Sequence, residues 1–186
     1  FCFGKNRKYC IEKLKELFKG AVIVIDEIKL DNIAVHSRII RDYIKNGDIK
    51  MANKLLGKKY KIYGQKIKGQ GLGAKSFVPT INLKVDEFLL PNEGVYITKT
   101  ILDEQEFNSI TFLGHRFTTD GSYAIETHIL DRDIEDKDYT TQIKFCEKLR
   151  ENKKFDSFEE LKNQIFQIWE LYRKELNKSK FNLGKQ

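Results

Sequence analysis

The sequence predicts a mainly β protein with some α-helix, in which an antiparallel β-barrel or sandwich follows a fragment of an α/β domain. Two observations predict this class. After Gly57, short segments of alternating apolar and polar residues recur with turn residues between them. Before Gly57, a five-residue apolar run is flanked by helical patterns. The 186 residues suffice for one domain, or for one domain and a fragment.

The front of the chain has the pattern of the end of a parallel α/β unit. Apolar residues at helical spacing predict a helix over 7–19, which Gly20 ends. The run at 21–25, AVIVI, predicts a strand buried on both faces. Two short helices are predicted at 36–46 and 48–56. Because the chain opens on Phe rather than Met, we interpret it as part of a longer protein.

Six short strands and a helix are predicted for the remainder of the chain. The strands are expected at 59–68, 78–84, 94–102, 107–113, 122–130 and 139–146. The absence of helices between them favours an antiparallel barrel or sandwich. The final helix is predicted at 157–178, with Ser157 and Glu160 as a capping box and an apolar stripe that packs on the outside of the barrel.

Charge and cysteine content narrow the function classes. The net charge of +7 comes from residues 1–75, which hold 18 Lys/Arg against 7 Asp/Glu. These lysines are dispersed rather than clustered with aromatic residues, which favours a solvated surface over a single-strand nucleic-acid site. Cys2, Cys10 and Cys146 have no metal-site spacing and are expected to be reduced thiols of a cytoplasmic protein. No apolar run approaches the ~20 residues of a membrane span.

A glycine-rich segment offers a candidate phosphate site. Gly69, Gly71 and Gly73 would let backbone N–H groups approach a phosphate closely, and Lys68 and Lys75 flank them. The spacing matches neither a P-loop nor a dinucleotide fingerprint, and a glycine-rich hairpin turn explains it equally well.

The Thr80/Asn82 pair is a candidate metal site. Residues two apart in a strand point the same way, so Thr80 and Asn82 would face away from Pro79, Ile81 and Leu83. A hydroxyl and an amide oxygen suit Mg²⁺, which takes few protein ligands beside phosphates. Taken alone, the pair is also compatible with the polar outer face of an ordinary strand.

Glu126 is a candidate general base. It lies in an apolar, β-rich strand with His128 on the same face, and burial would raise the pKa of its carboxyl toward that of a base. A solvated strand glutamate and a structural histidine explain the same residues.

Four ordered motifs connect these candidates to a known family. The chain carries PTINL at 79–83, LPNEGVY at 90–96, ETHIL at 126–130 and LRENKKF at 149–155. Together they resemble the riboflavin kinase module at the C-terminus of bacterial bifunctional riboflavin kinase/FMN adenylyltransferases. The resemblance covers residues 58–178.

The resemblance implies a six-stranded antiparallel Greek-key barrel with a C-terminal helix over 58–186, and transfer of the ATP γ-phosphoryl group to riboflavin to give FMN. In the family's pattern Thr80 and Asn82 bind Mg²⁺ and nucleotide phosphates, and Glu126 is the base. The same pattern assigns the nucleotide to Lys68, Gly69, Gly71 and Gly73, and the flavin to Arg150 and Phe155.

The front also resembles that family's first domain. Gly4 and Arg7, in FGKNR, and Ser37 and Arg41 match segments of the FMN adenylyltransferase. Residues 1–57 are therefore expected to be its C-terminal part and a linker, and the full protein to convert FMN to FAD as well.

Some residues depart from the family's pattern, so alternatives stay open. Ala74 and Phe77 replace an arginine and a glycine of the nucleotide loop, and Arg116 is followed by Phe-Thr-Thr rather than Pro-Thr-Phe. A non-catalytic flavin or nucleotide binder and a basic RNA-binding barrel are the alternative readings. The kinase reading predicts ATP and riboflavin or FMN as the partners, and neither nucleic acid nor a membrane.

Overall fold

The computed structural model describes residues 1–68, 79–116, 120–130, 132, 134–135, 137–155, 159–160, 163–164, 166–168, 170 and 172. The chain divides into two units, Phe1–Val35 and His36–Gln186. The two short helices that follow Val35 group with the barrel strands. The predicted domain boundary between residues 57 and 58 stays a prediction.

The first unit contains short elements only. A 3₁₀ turn at Lys5–Arg7 precedes helix α1, Ile11–Leu17, and strands β1, Lys29–Leu30, and β2, Ile33–Ala34, form a small hairpin. The strand predicted at 21–25 is absent, and Ile23 and Ile25 are 86% and 85% exposed. A strand buried on both faces needs paired neighbours, and no described strand pairs with this run.

Two helices begin the second unit, as predicted. They are α2, Ser37–Lys45, and α3, Ile49–Leu56. The Asp48 side chain caps α3 by accepting from Met51 N at 3.1 Å, and Gly57 ends it in the left-handed conformation. Asn53 then fastens α3 to the barrel, since its Nδ2 donates to Phe145 O at 2.9 Å and its Oδ1 accepts from Tyr60 N at 2.6 Å.

Six antiparallel strands close into a barrel, which confirms the predicted fold class. They are β3, Lys61–Ile67; β4, Ile81–Lys84; β5, Gly94–Leu102; β6, Gln105–His115; β7, Tyr123–Ile129; and β8, Thr140–Arg150. Their order around the barrel is β3-β4-β7-β6-β5-β8. Strands β5, β6 and β7 follow one another as hairpins and β8 returns beside β5, which is the Greek-key arrangement.

Among the described residues, two apolar clusters stabilise the barrel. The larger cluster draws residues from all six strands and therefore fills the barrel interior: Ile62, Ile81, Leu83, Tyr96, Leu102, Leu113, Ile125, Ile129, Ile143 and Phe145, with Ile49 of α3. The smaller cluster joins Val95, Ile97 and Ile110 to Ile168 and Tyr172. The described residues from 159 to 172 are helical, so part of the predicted final helix packs outside the barrel as expected.

A network of hydroxyl groups also lies in the interior. Thr98, Thr100, Ser109, Thr111 and Thr127 are fully buried. Their hydroxyl groups are joined by hydrogen bonds of 2.7–3.0 Å across β5, β6 and β7. Buried polar groups are tolerated when each finds a partner, and here the hydroxyl groups satisfy one another.

An ion cluster on the outside of the barrel joins three strands. Lys99 of β5 lies directly opposite Lys144 of β8, and these like charges repel. Glu106 of β6 offsets the repulsion by accepting from Lys99 at 2.6 Å and from Lys144 at 2.8 Å. Hydrogen bonds from Lys144 and Lys99 lower the pKa of the Glu106 carboxyl to about 2.

We expect Glu106→Gln to lower the melting temperature by about 1–3 °C at pH 7, because the cluster is only partly shielded from solvent. The folded-state pKa lies below the ordinary 4.5, so the stabilisation is complete above pH 4.5 and is lost as the pH falls toward 2. Thermal melts from pH 7 to pH 2 should show the two proteins converging in acid. Glu135→Gln, at a highly exposed carboxylate, is the control; an equal difference at every pH would contradict the assignment.

Candidate active site

The pairing of β4 with β7 brings together two of the predicted site residues. Asn82 lies directly opposite Glu126 in the ladder, and Thr80 immediately precedes β4. Asn82 is only 9% exposed, while Ile81 and Leu83 belong to the interior cluster. Asn82 therefore faces away from the interior, as predicted.

Arg116 is the group that joins these residues. Its Nε and Nη2 lie 2.8 Å and 2.7 Å from Glu126 Oε1, and its Nη2 donates to Asn82 Oδ1 at 2.7 Å. The Arg116 and Glu126 side chains are 17% and 26% exposed. Such partly buried, multiply bonded guanidinium groups have a more fixed geometry than a surface ion pair.

The backbone of the β6–β7 hairpin holds Arg116 in place. Arg116 N donates to Ser122 O at 2.9 Å, and Gly121 N donates to Arg116 O at 3.1 Å. The side chain is held as well, since Nη1 donates to Ser122 Oγ at 2.8 Å. Asp120 in turn accepts from the Ser122 hydroxyl at 2.8 Å. These hydrogen bonds therefore hold both the backbone and the guanidinium group of Arg116.

A cavity of about 190 Å³ opens beside this cluster. Its described lining consists of Ile67, Lys68, Asn82, Leu83, Arg116, Tyr123, Ala124 and Ile125. It is smaller than the roughly 300–1,000 Å³ that encloses a whole organic ligand. With a lysine, an arginine and an amide at its described wall, it suits an anionic group such as a phosphate.

The oxygen donors at the site fit a hard cation. Thr80 and Asn82 supply a hydroxyl and an amide oxygen, and Mg²⁺ accepts one or two such ligands when phosphates complete its shell. The amide oxygen has two lone pairs, so the hydrogen bond from Arg116 leaves one for a cation. No group of three or more His, Cys, Asp or Glu suited to a metal occurs among the described residues. The cation would therefore depend on the nucleotide phosphates.

His128 has a structural role. Its Nδ1 donates to Pro79 O at 2.7 Å. This bond fixes the backbone immediately before Thr80, so His128 supports the placement of the predicted metal ligand. Pro79 itself is exposed rather than turned to the core, because it precedes the strand.

The predicted flavin residues contact each other at the end of β8. The Arg150 guanidinium carbon lies 5.3 Å and Lys153 Nζ 4.6 Å from the centroid of the Phe155 ring. Phe155 is 4% exposed. Burial lowers the pKa of Arg150, and its Nε has no hydrogen-bond partner among the described residues. Arg150 thus has an unused donor, whereas the ring of Phe155 is covered.

A second network joins this end of the barrel to the Arg116 turn. His115 Nδ1 donates to Glu93 Oε1 at 2.8 Å, and Asn152 Nδ2 donates to His115 O at 2.8 Å. Burial raises the pKa of Glu93, but the hydrogen bonds from His115 and Asn152 outweigh it and hold the pKa below its ordinary value. Gly114 permits the close approach, since a Cβ there would lie 2.7 Å from Glu93 Oε2.

The remaining predicted site residues lie apart from the Asn82–Glu126 pair in the sequence. Lys68 is exposed and lines the cavity, while Gly69, Gly71 and Gly73 lie outside the described residues. Ser37 and Arg41 are exposed one turn apart on α2. Gly4 and Arg7 are exposed in the first unit, at its 3₁₀ turn. The roles of all these residues remain predictions.

Comparison with known proteins decides the family. A family model described as "Flavokinase: Riboflavin kinase" matches residues 56–176. The chain belongs to the riboflavin kinase family. Curated relatives named "Bifunctional riboflavin kinase/FMN adenylyltransferase" include one from Haemophilus influenzae, 33% identical over 89% of this chain and 55% of the relative. One from Pseudomonas fluorescens is 33% identical over 74% of this chain and 45% of the relative.

This riboflavin kinase family member spans about half the length of the curated relatives it matches. A solved structure titled "Crystal Structure of Macrolide-efflux Protein from Streptococcus pneumoniae" aligns with a TM-score of 0.84 and 29% identity, covering 93% of this chain and 57% of that one. No helix in the described part of the chain is long and apolar enough to cross a membrane.

The sequence of this riboflavin kinase family member did not predict a role for Arg116 or for the Glu93–His115–Asn152 network. Arg116 stood out only as the start of a segment that departs from the family's pattern. A usable signal was the turn-forming sequence TDG at 119–121, because a hairpin closed there would place Arg116 near the residues that follow it, and Arg116 N does donate to Ser122 O. That pairing puts the arginine beside the strand that carries Glu126. Asn152 gave no such signal.

Proposed function

We propose that the chain is a riboflavin kinase that transfers the γ-phosphoryl group of ATP to the ribityl 5′-hydroxyl of riboflavin, giving FMN and ADP. The observation that carries this proposal is the position of Asn82 opposite Glu126 beside a cationic cavity. Phosphoryl transfer needs positioning and charge neutralisation more than covalent chemistry, and this site offers both. Family membership supports the choice of flavin as the acceptor.

Each residue of the site has a proposed role. Glu126 accepts the proton of the ribityl hydroxyl as its oxygen bonds to the γ-phosphorus and the bond to the ADP oxygen breaks. Thr80 and Asn82 hold Mg²⁺, which when bound would offset the charge of the phosphate oxygens. Lys68 at the cavity wall attracts the same phosphates. Arg150, whose buried Nε has no hydrogen-bond partner among the described residues, is a candidate donor to the flavin.

The whole protein has a second proposed activity. The curated relatives carry both activities in their names, and the chain spans about half of their length. We therefore propose that the complete protein also adenylylates FMN to FAD, with Gly4, Arg7, Ser37 and Arg41 as remnants of the adenylyltransferase domain in this chain. Cys2, Cys10 and Cys146 are free thiols, which supports a reducing, cytoplasmic location.

Incubation of the wild-type chain with riboflavin and MgATP, followed by chromatography, should yield FMN and ADP.

Glu126→Gln keeps an oxygen for Arg116 but removes the base, so turnover should fall about 10²-fold while riboflavin affinity stays nearly the same. Glu135→Gln is the matched control. An unimpaired Glu126→Gln rate would exclude Glu126 as the base, whereas flavin binding without ADP release in the wild-type chain would favour a non-catalytic binder.

Thr80→Ala should weaken nucleotide binding only when Mg²⁺ is present, because the variant loses one oxygen ligand of the cation. Calorimetric titration with ADP, in Mg²⁺ and in a chelator, separates the two contributions. We expect about a 3- to 30-fold loss in Mg²⁺ and little change in the chelator. The ligand role would be refuted by equal losses under both conditions, or by no loss in Mg²⁺.

A further inference from the structure

Arg116 has three side-chain partners among the described residues and no role in the function proposed so far. One guanidinium group reaches Glu126 on β7, Asn82 on β4 and Ser122 at the start of the β7 hairpin arm. These partners lie 10, 34 and 6 residues away in the sequence. The barrel strands fix only the backbone positions of these residues. The arginine in addition fixes their side chains relative to one another.

The chemistry of arginine decides how the Asn82 amide is turned. Guanidinium nitrogens donate hydrogen bonds and accept none, so the atom that faces Nη2 must be the amide oxygen. Because the two ends of an asparagine amide are similar in shape, a neighbour that only donates selects between them. Arg116 thereby places an oxygen, rather than an NH₂ group, beside the cavity that Asn82 lines.

The same guanidinium binds one oxygen of the Glu126 carboxylate. Both Nε and Nη2 contact Oε1, so Arg116 uses one of the two carboxylate oxygens. Its positive charge also offsets that of the carboxylate, which would otherwise repel the phosphates of a nucleotide. A lysine would keep the charge but could not make these contacts in a fixed plane.

We propose that Arg116 is the positioning residue of the kinase site, which turns the Asn82 amide oxygen and the Glu126 carboxylate toward one phosphoryl group. This inference rests on the proposed function. Arg116 acts through its two partners, and loss of its planar group should disturb both the metal-dependent binding of nucleotide and the chemical step.

The test compares Arg116→Lys with the wild-type 186-residue chain. Arg132→Lys is the matched control, since Arg132 contacts the Phe107 ring near the other end of β6. Three measurements are made: circular dichroism melts for folding, steady-state kcat and KM for riboflavin and MgATP, and calorimetric ADP binding in Mg²⁺ and in a chelator.

We expect Arg116→Lys to fold, to lose about 10- to 100-fold in kcat and to change KM for riboflavin by less than about threefold. The gain in ADP affinity that Mg²⁺ confers should shrink by about threefold or more, because the Asn82 oxygen is no longer held. Adding Arg116→Lys to Glu126→Gln should cost less than about threefold further in kcat, since both changes disable the same base. Arg132→Lys should resemble the wild type in every measurement.

A kcat within about twofold of wild type, or fully multiplicative losses in the double variant, would overturn the inference. If Arg116→Lys did not fold, Arg116→Gln would be measured in the same way and judged by the same outcomes. If the wild-type chain made no FMN, the proposed function would fail, but the ADP titrations would still test the role of Arg116. An unchanged Mg²⁺-dependent gain in the variant would then overturn the role of Arg116, and a reduced gain would support it.

Discussion

The antiparallel register between β4 and β7 is the constraint on which the candidate site depends. Strand β4 has only four residues, yet it closes the barrel by pairing with β3 on one side and β7 on the other. The same pairing sets Asn82 opposite Glu126. A shift of one residue would turn Asn82 into the apolar interior and Ile81 or Leu83 out of it, so core packing and site geometry enforce the same register.

Most of the barrel could be predicted from the sequence because the alternation of apolar and polar residues indicates which face of a strand is buried. Each of the six segments became a strand, with changes only at the ends. The run at 21–25 gave a wrong prediction for a related reason. Its composition reports only a tendency to be buried, and burial on both faces requires neighbouring strands that the described residues do not supply. The local pattern therefore predicted a strand correctly where the described residues also supply the strands that pair with it.

The candidate site was predictable in part. The motifs singled out Thr80, Asn82 and Glu126, and pairing of β4 with β7 brings the last two together. The connecting Arg116 escaped prediction because its importance comes from side-chain contacts across three strands. Such contacts depend on rotamers and on the turn that joins β6 to β7, neither of which periodicity reports. The same is true of Asn152, whose partner Glu93 lies 59 residues away.

Closure of the sheet has a consequence for how copies of this chain could associate. Each of the six barrel strands is paired with a neighbour on both sides over at least part of its length, so among the described residues no barrel strand is a sheet edge along its whole length. Closure therefore disfavours assembly by addition of a strand from another molecule to this part of the protein. An oligomer built on the barrel would instead rely mainly on the shape and charge of its outward-facing side chains.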